Sequence, residues 1–226
     1  MSALDRPVWM SLSTSHSALS IGNALARRYA REVNVFASAH DDTVQALAAL
    51  SDLVHPGERV FVMQVPEILV PPALVAVKEA KGVQMLATRS APAAEGSEDI
   101  VQLTDADAPE MLALATLTEP GPFLTRTHTM GQFIGIRIGE RLAAMAGERF
   151  RFPGYTEVSG VCTHPDCRGR GLARRLSAAV AAGIEARGER PFLHAWKSNR
   201  PAIALYESLG FEIRREVNVA VLEHGA

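Results

Sequence analysis

The stretch Val161-Cys162-Thr163-His164-Pro165-Asp166-Cys167-Arg168-Gly169-Arg170-Gly171-Leu172-Ala173 constrains the fold more than any other part of the chain. An apolar strand runs into a loop of alternating arginine and glycine, and the loop opens directly onto a helix. The first N–H groups of a helix have no intrahelical partner and sit at the positive end of its dipole, so such a turn holds anions. Gly169 and Gly171 let the main chain approach an anion with no Cβ in the way. Arg168 and Arg170 add charge, and an inward Arg168 adds a bidentate fork. The stretch therefore reads as a site for a phosphorylated cofactor, against the plainer alternative that the two glycines only shape a turn.

Other chemistries fit less well. A dinucleotide fingerprint needs a third glycine where Arg174 stands and an acidic residue after the next strand, where the chain reads Trp196-Lys197. No Gly-Lys-Ser/Thr loop occurs. Cys162 and Cys167 flank His164, but a closed zinc site needs four ligands and only Asp166 stands nearby, so no metal is expected and both thiols are read as reduced. A formal net charge of −2 gives no basic face for a nucleic acid. The first residues, with Asp5, Arg6 and Pro7, lack the apolar core of a signal peptide, and no run approaches the roughly 20 apolar residues of a membrane span. A cytoplasmic protein is expected, with neither nucleic acid nor membrane as partner.

Periodicity predicts the elements. In the first ninety residues, Ile21, Leu25, Arg28 and Tyr29 carry helical spacing, and Val33 to Ala37 reads as a strand. Asp41 or Asp42 caps a helix whose inner face holds Val44, Leu47, Ala48 and Leu50. Arg59 to Val65 reads as a strand, Leu74 to Ala80 as a helix and Val83 to Ala87 as another strand. Arg89 to Asp99 lacks periodicity and is the linker candidate, dividing a small α/β region (1–95) from a second domain (96–226). Beyond it come a strand near Val101, a helix through Leu117, a Pro/Gly turn from Thr118 to Phe123, and strands at Phe133–Ile138, Leu142–Phe150 and Tyr155–Thr163. After the glycine loop come a helix through Arg187 with Leu172, Leu176, Val180 and Ile184 as its buried stripe, a strand at Phe192–Trp196, a helix at Asn199–Leu209 and a final strand from Phe211.

This order resembles the GNAT family of N-acyltransferases over about residues 100 to 224. The family's Arg/Gln-x-x-Gly-x-Gly/Ala motif reads Arg168, Gly171 and Ala173 here. A second signature reads Asn199, Ala202, Tyr206, Gly210 and Phe211. Pro120-Gly121-Pro122-Phe123, Met145 to Arg149 and Val161 to Pro165 are similar to the FR47-like branch, which also resembles the carboxy-terminal part of glycine N-acyltransferases. The resemblance implies an α/β (α+β) fold: a mixed, mostly antiparallel central sheet flanked by helices.

By that resemblance acetyl-CoA is the acyl donor and a primary amine of a small molecule, amino acid or peptide the acceptor. The backbone of Val161, Cys162 and Thr163 would pair with the pantetheine, and residues Arg168, Gly169, Arg170, Gly171, Leu172, Ala173 and Arg174 would hold the pyrophosphate. Asn199, Ala202 and Tyr206 would complete the donor site. A backbone N–H near Val161 would polarise the thioester carbonyl. Tyr206 is the candidate acid for the leaving thiolate; the seven residues from Asn199 put both on one helix face, although a helical tyrosine is commonly a packed phenol and Asn199 also serves as an N-cap. Glu157, eleven residues before Arg168, is the candidate base, or else a salt-bridged strand residue. Phe123, Arg126 and His128 are expected around the acceptor, with His128 as second-choice base. A non-catalytic CoA-binding module and a longer acyl donor are the rival readings, and a homodimer paired through sheet edges is left open.

Overall fold

The computed structural model describes residues 2–90 and 99–225. The expected linker, Arg89 to Asp99, lies mostly outside them, as does the expected division at 95/96. Helix α1 (Pro7–Ser13) begins with a proline, whose missing N–H would be unpaired there anyway. A small antiparallel sheet follows: β1 (Ser20–Gly22), β2 (Ala26–Tyr29) and β3 (Ala37–Ala39). Helix α2 (Val44–Asp52) is capped by Thr43, whose hydroxyl accepts the Ala46 N–H at 3.3 Å. Then come β4 (Val60–Gln64), β5 (Leu74–Ala87), β6 (Ile100–Leu103), α3 (Ala108–Thr118), β7 (Phe133–Ile138), β8 (Arg141–Phe152), β9 (Tyr155–Thr163), α4 (Leu172–Ala186), β10 (Arg190–Trp196), α5 (Arg200–Ser208) and β11 (Phe211–His224).

Four expectations in the first ninety residues are corrected. Residues 21–29 form the β1–β2 hairpin instead of a helix: Gly22 sits at φ 130°, and the Asn23 carboxamide accepts the N–H groups of Leu25 and Ala26, a local turn that competes with helical bonding. Residues 74–80 are strand, because all of β5 pairs with β11, from Leu74 opposite His224 to Ala87 opposite Phe211. The α2 cap is Thr43, since the Asp41 carboxylate is taken up by the Thr43 hydroxyl and N–H, and Val44 is exposed. The strand expected at Val33–Ala37 starts only at Ala37, with Phe36 bridging to Phe61.

The large sheet has eight strands in the order β4-β11-β5-β10-β9-β8-β7-β6, antiparallel at every contact but one. The exception is β9 with β10, which are parallel and pair only from Tyr155–Glu157 to Arg190–Phe192. Strands on both sides of residues 95/96 share this sheet, with β5 lying between β10 and β11. One face is covered by α4 and α5 over a core of Met85, Leu176, Ile184, Leu193 and Phe211. Against the other face, Leu4 and, from α1, Val8 and Leu12 pack on Phe150, Phe192 and Val217.

Candidate active site

Beyond Phe192 and Glu157 the two parallel strands have no pairing, although β9 continues to Thr163 and β10 to Trp196. The partner strand contributes to the opening. Between Cys162 opposite Met145 and Ser159 opposite Gly147, β9 carries an excess residue, a bulge that kinks the strand away from β10. Gly160 makes it possible: its φ is 63°, and a Cβ there would meet the Phe133 ring at 2.9 Å. A cavity of about 740 Å³ occupies the opening, lined by residues from both cores, so it passes through the sheet from one face to the other.

On the α4 side its wall is the glycine loop. Gly171 is the N-cap of α4 at φ 72°, with no side chain to bond the first-turn N–H groups and no acidic residue in that turn. A Cβ on Gly169 or Gly171 would meet no protein atom within 4 Å, so the main chain faces open space. Arg168, Arg170 and Arg174 line the same end, and none forms an ion pair with a described residue. Asn199 caps α5, accepting the Ala202 N–H at 3.2 Å. Tyr206 also lines the cavity, its hydroxyl bonded to no described residue. Burial, and then the charge of Glu157, push its phenol up to about 12, so it keeps its proton at neutral pH. Val161, Cys162 and Thr163 form the strand wall; the Thr163 hydroxyl is buried with no partner among the described residues, and burial pushes the Cys162 thiol up to about 11. An uncapped helix start, a main chain without Cβ atoms and an orphaned hydroxyl in line with a narrow gap fit a diphosphate with an extended arm.

Through the gap the lining changes to Phe36, Phe61, Met63, Val217 and Val219, with Arg149 and His194 as its polar members. Glu157 stands behind these two, fully buried. Arg149 donates from Nε and Nη2 to the two carboxylate oxygens, at 2.7 Å each, and His194 Nδ1 lies 2.6 Å from Oε1. Burial alone would raise this carboxyl, but the charge and fork of Arg149, followed by His194, hold it at about 2. Since a carboxylate only accepts, His194 Nδ1 carries the hydrogen. Its Nε2 lies 3.1 Å from Gln84 Nε2. Arg214 donates to Gln84 Oε1 at 2.8 Å and Gln84 Nε2 donates to the Leu4 carbonyl at 2.9 Å, which fixes the amide's orientation. Gln84 thus presents an N–H, and His194 Nε2 presents its lone pair.

The residues expected around the acceptor sit elsewhere. Thr118 to Pro122 line the cavity, but Phe123 packs edge-on to Phe133 under a small side pocket, Arg126 pairs on the surface with Glu32, and His128 bonds Asp105. The structure does not bring these three to the large cavity. Sequence reasoning passed over Phe36, Phe61, Met63, Arg149 and His194. Arg149 closes the segment Met145 to Arg149 that resembles the FR47-like branch, and His194 stands as a polar residue two positions after Phe192 in an apolar strand. Among the described residues no three His, Cys, Asp or Glu side chains are placed to hold a metal, and no helix is long and apolar enough to cross a membrane.

A family model described as FR47-like protein matches residues 133–220. The structure is similar to that of a GNAT-family protein from Novosphingobium aromaticivorans DSM 12444, with a TM-score of 0.93, 43% sequence identity and 100% of both chains covered. A GCN5-related N-acetyltransferase from Kribbella flavida matches with a TM-score of 0.68 over 100% of this chain and 97% of that one; at 16% identity it speaks for the fold alone. No curated protein matches the chain.

Proposed function

The chain belongs to the GNAT family and is similar to FR47-like proteins over residues 133–220, and on that premise we propose that it transfers an acetyl group directly from acetyl-CoA to a primary amine. The observation that carries this reading is one cavity that takes in the glycine loop and Tyr206 on the face covered by α4 and α5 and continues through the gap between β9 and β10. Residues 168–174 would hold the diphosphate, on the α4 N-terminus and the loop arginines, and residues 161–163 would hold the pantetheine along the open edge of β9. When bound, acetyl-CoA supplies an acetyl group activated as a thioester. The reaction forms a C–N bond, breaks the C–S bond, takes one proton from the amine nitrogen and returns one to sulfur.

Tyr206 is proposed to return that proton. It lines the cavity on the α5 side and keeps its proton at neutral pH, although burial and then Glu157, by pushing it up to about 12, make it a weaker acid than an ordinary phenol. Glu157 is not in a condition to take a proton at neutral pH: its oxygens are occupied by Arg149 and His194, and its carboxyl is held at about 2. Its part is instead to neutralise Arg149 and orient His194.

Acetyl-CoA at about a hundred times its Kd is expected to raise the melting temperature by roughly 5–10 °C. Tyr206→Phe is expected to lower kcat about a hundredfold with little change in the KM for acetyl-CoA. No melting shift at millimolar acetyl-CoA would refute the donor site, and an unchanged kcat would clear Tyr206 of the acid role.

A further inference from the structure

The half of the cavity on the α1 face takes no part in holding a CoA diphosphate, and its chemistry is distinct. Phe36, Met63, Val217 and Val219 are buried residues that nevertheless line open space, and Phe61 is half-buried beside them. Arg149 is stacked over Phe36, 4.9 Å from its ring centre, and over Phe150, at 4.4 Å, while Glu157 balances its charge. Around the whole cavity the charged lining residues are Arg149, Arg168, Arg170, Arg174 and a single acid, Glu119. A polycation would find one lining carboxylate, Glu119, for its several charges, since Glu157 is already paired with Arg149 and His194. An amine with an uncharged apolar body would bury that body on the aromatic wall, worth about 25 cal/mol for each Å² removed from water.

The amine must also lose a proton, and the lining of this half limits where it goes. Phe, Met and Val hold no proton, and Arg149 is already charged. His194 remains, its Nε2 lone pair held by the Gln84 N–H until that contact is given up. The charged groups around it are Glu157 from β9 and Arg149 from β8, with Arg214 of β11 and its partner Asp5 behind Gln84.

Building on the acetyl-transfer reading, we propose that the α1-face half of the cavity is the acceptor site, that it takes a primary amine on an uncharged apolar body, and that His194 is the catalytic base. The amine nitrogen bonds to the acetyl carbon and releases its proton to His194 Nε2. The imidazolium is stabilised by Glu157 across the 2.6 Å hydrogen bond, while the Gln84 contact, now donor to donor, is given up. The wall that selects the acceptor is then built largely from the amino-terminal region, through Phe36, Phe61 and Met63.

The test measures thiol release from acetyl-CoA with 2-phenylethylamine, glycine and spermidine as acceptors. The proposal expects kcat/KM for 2-phenylethylamine to exceed the other two at least a hundredfold. Phe61→Ala should raise its KM about tenfold with kcat nearly unchanged. His194→Gln should lower kcat at least a hundredfold and remove the acidic limb of the pH–rate profile, while acetyl-CoA still raises the variant's melting temperature. Spermidine or glycine as the better substrate, or acetyl-CoA binding with none of the three acetylated, overturns the acceptor assignment. His194→Gln with its acidic limb intact overturns the base. Absence of an acetyl-CoA melting shift in the unmodified protein overturns the donor reading and this one with it, whereas a normal shift with the wrong amine pattern overturns this one alone.

Discussion

Two buried ionisable residues contribute to how the protein responds to acid, and they act in different pH windows. His16 is buried, its Nδ1 2.9 Å from both the Ser11 hydroxyl and the Tyr29 hydroxyl, and burial holds its imidazole down at about 4. An unfolded histidine titrates near 6.5, so the unfolded chain binds the proton first. The contribution of neutral His16 is therefore complete above about 6.5 and is lost as pH falls toward 4, by roughly 3 kcal/mol in all. Glu157 acts lower: held at about 2, it stabilises the fold above the ordinary carboxylate range and loses that effect as pH falls from about 4.5 toward 2. Urea titrations at pH 7 and pH 5 should show stability falling in the unmodified protein, and falling less in His16→Gln. Equal losses in both proteins would show that another group governs that window. Neither residue was legible at this depth, because burial and partners drawn from distant strands decide the pKa, and no motif records them.

At the scale of elements, legibility followed how locally each element is specified. The strand–glycine loop–α4 unit carries its own signals: the β9 residues, two glycines with positive φ, and a helix stripe that buries Leu172, Leu176, Val180 and Ile184. Strand β5 carries none. Its first half reads Val-Ala-Val-Lys-Glu-Ala-Lys, rich in helix formers, and Val75 and Val77 are exposed, so only pairing with β11 makes it a strand. The donor site was legible for the first reason, and the acceptor wall was not, since Phe36, Phe61 and Met63 meet His194 only after long-range pairing. Two glycines of the α4 unit should respond in opposite ways. Gly171→Val places a β-branched residue at φ 72° in the mouth of the loop and should weaken acetyl-CoA binding at least tenfold. Gly183 lies inside α4, with no atom within 4 Å of an added Cβ and without a positive φ. Gly183→Ala should therefore raise stability by about 0.5–1 kcal/mol with binding unchanged. Calorimetric titration and chemical unfolding of both variants check the pair, and tighter binding by Gly171→Val would contradict the loop's role.

At the scale of the whole molecule, the sheet threads the amino-terminal residues into the catalytic half. Strand β5 lies between β10 and β11, and β4 adds to the far side of β11, so every neighbour of β11 comes from before residue 90. Phe192 and Val217 share a core with Leu4, Val8 and Leu12 of the amino-terminal segment, and Gln84 ties Leu4 to His194. A composition break near residues 90–99 marks where the chain loses periodicity, which is a different property from where contacts end, and only the first is visible in a sequence. We propose that residues 1–95 act as part of the catalytic unit. A chain starting at residue 96 would expose both edges of β11, one edge of β10 and the apolar face that α1 covers, and unpaired strands of that kind template aggregation. The expected outcome is an insoluble fragment, or a soluble one without a cooperative thermal transition, and refolding it with residues 1–95 supplied in trans should restore some acetyl-CoA binding. A fragment that unfolds cooperatively and binds acetyl-CoA as the full chain does would make the first ninety-five residues an accessory layer, and the acceptor wall built from Phe36, Phe61 and Met63 would then be dispensable for the fold.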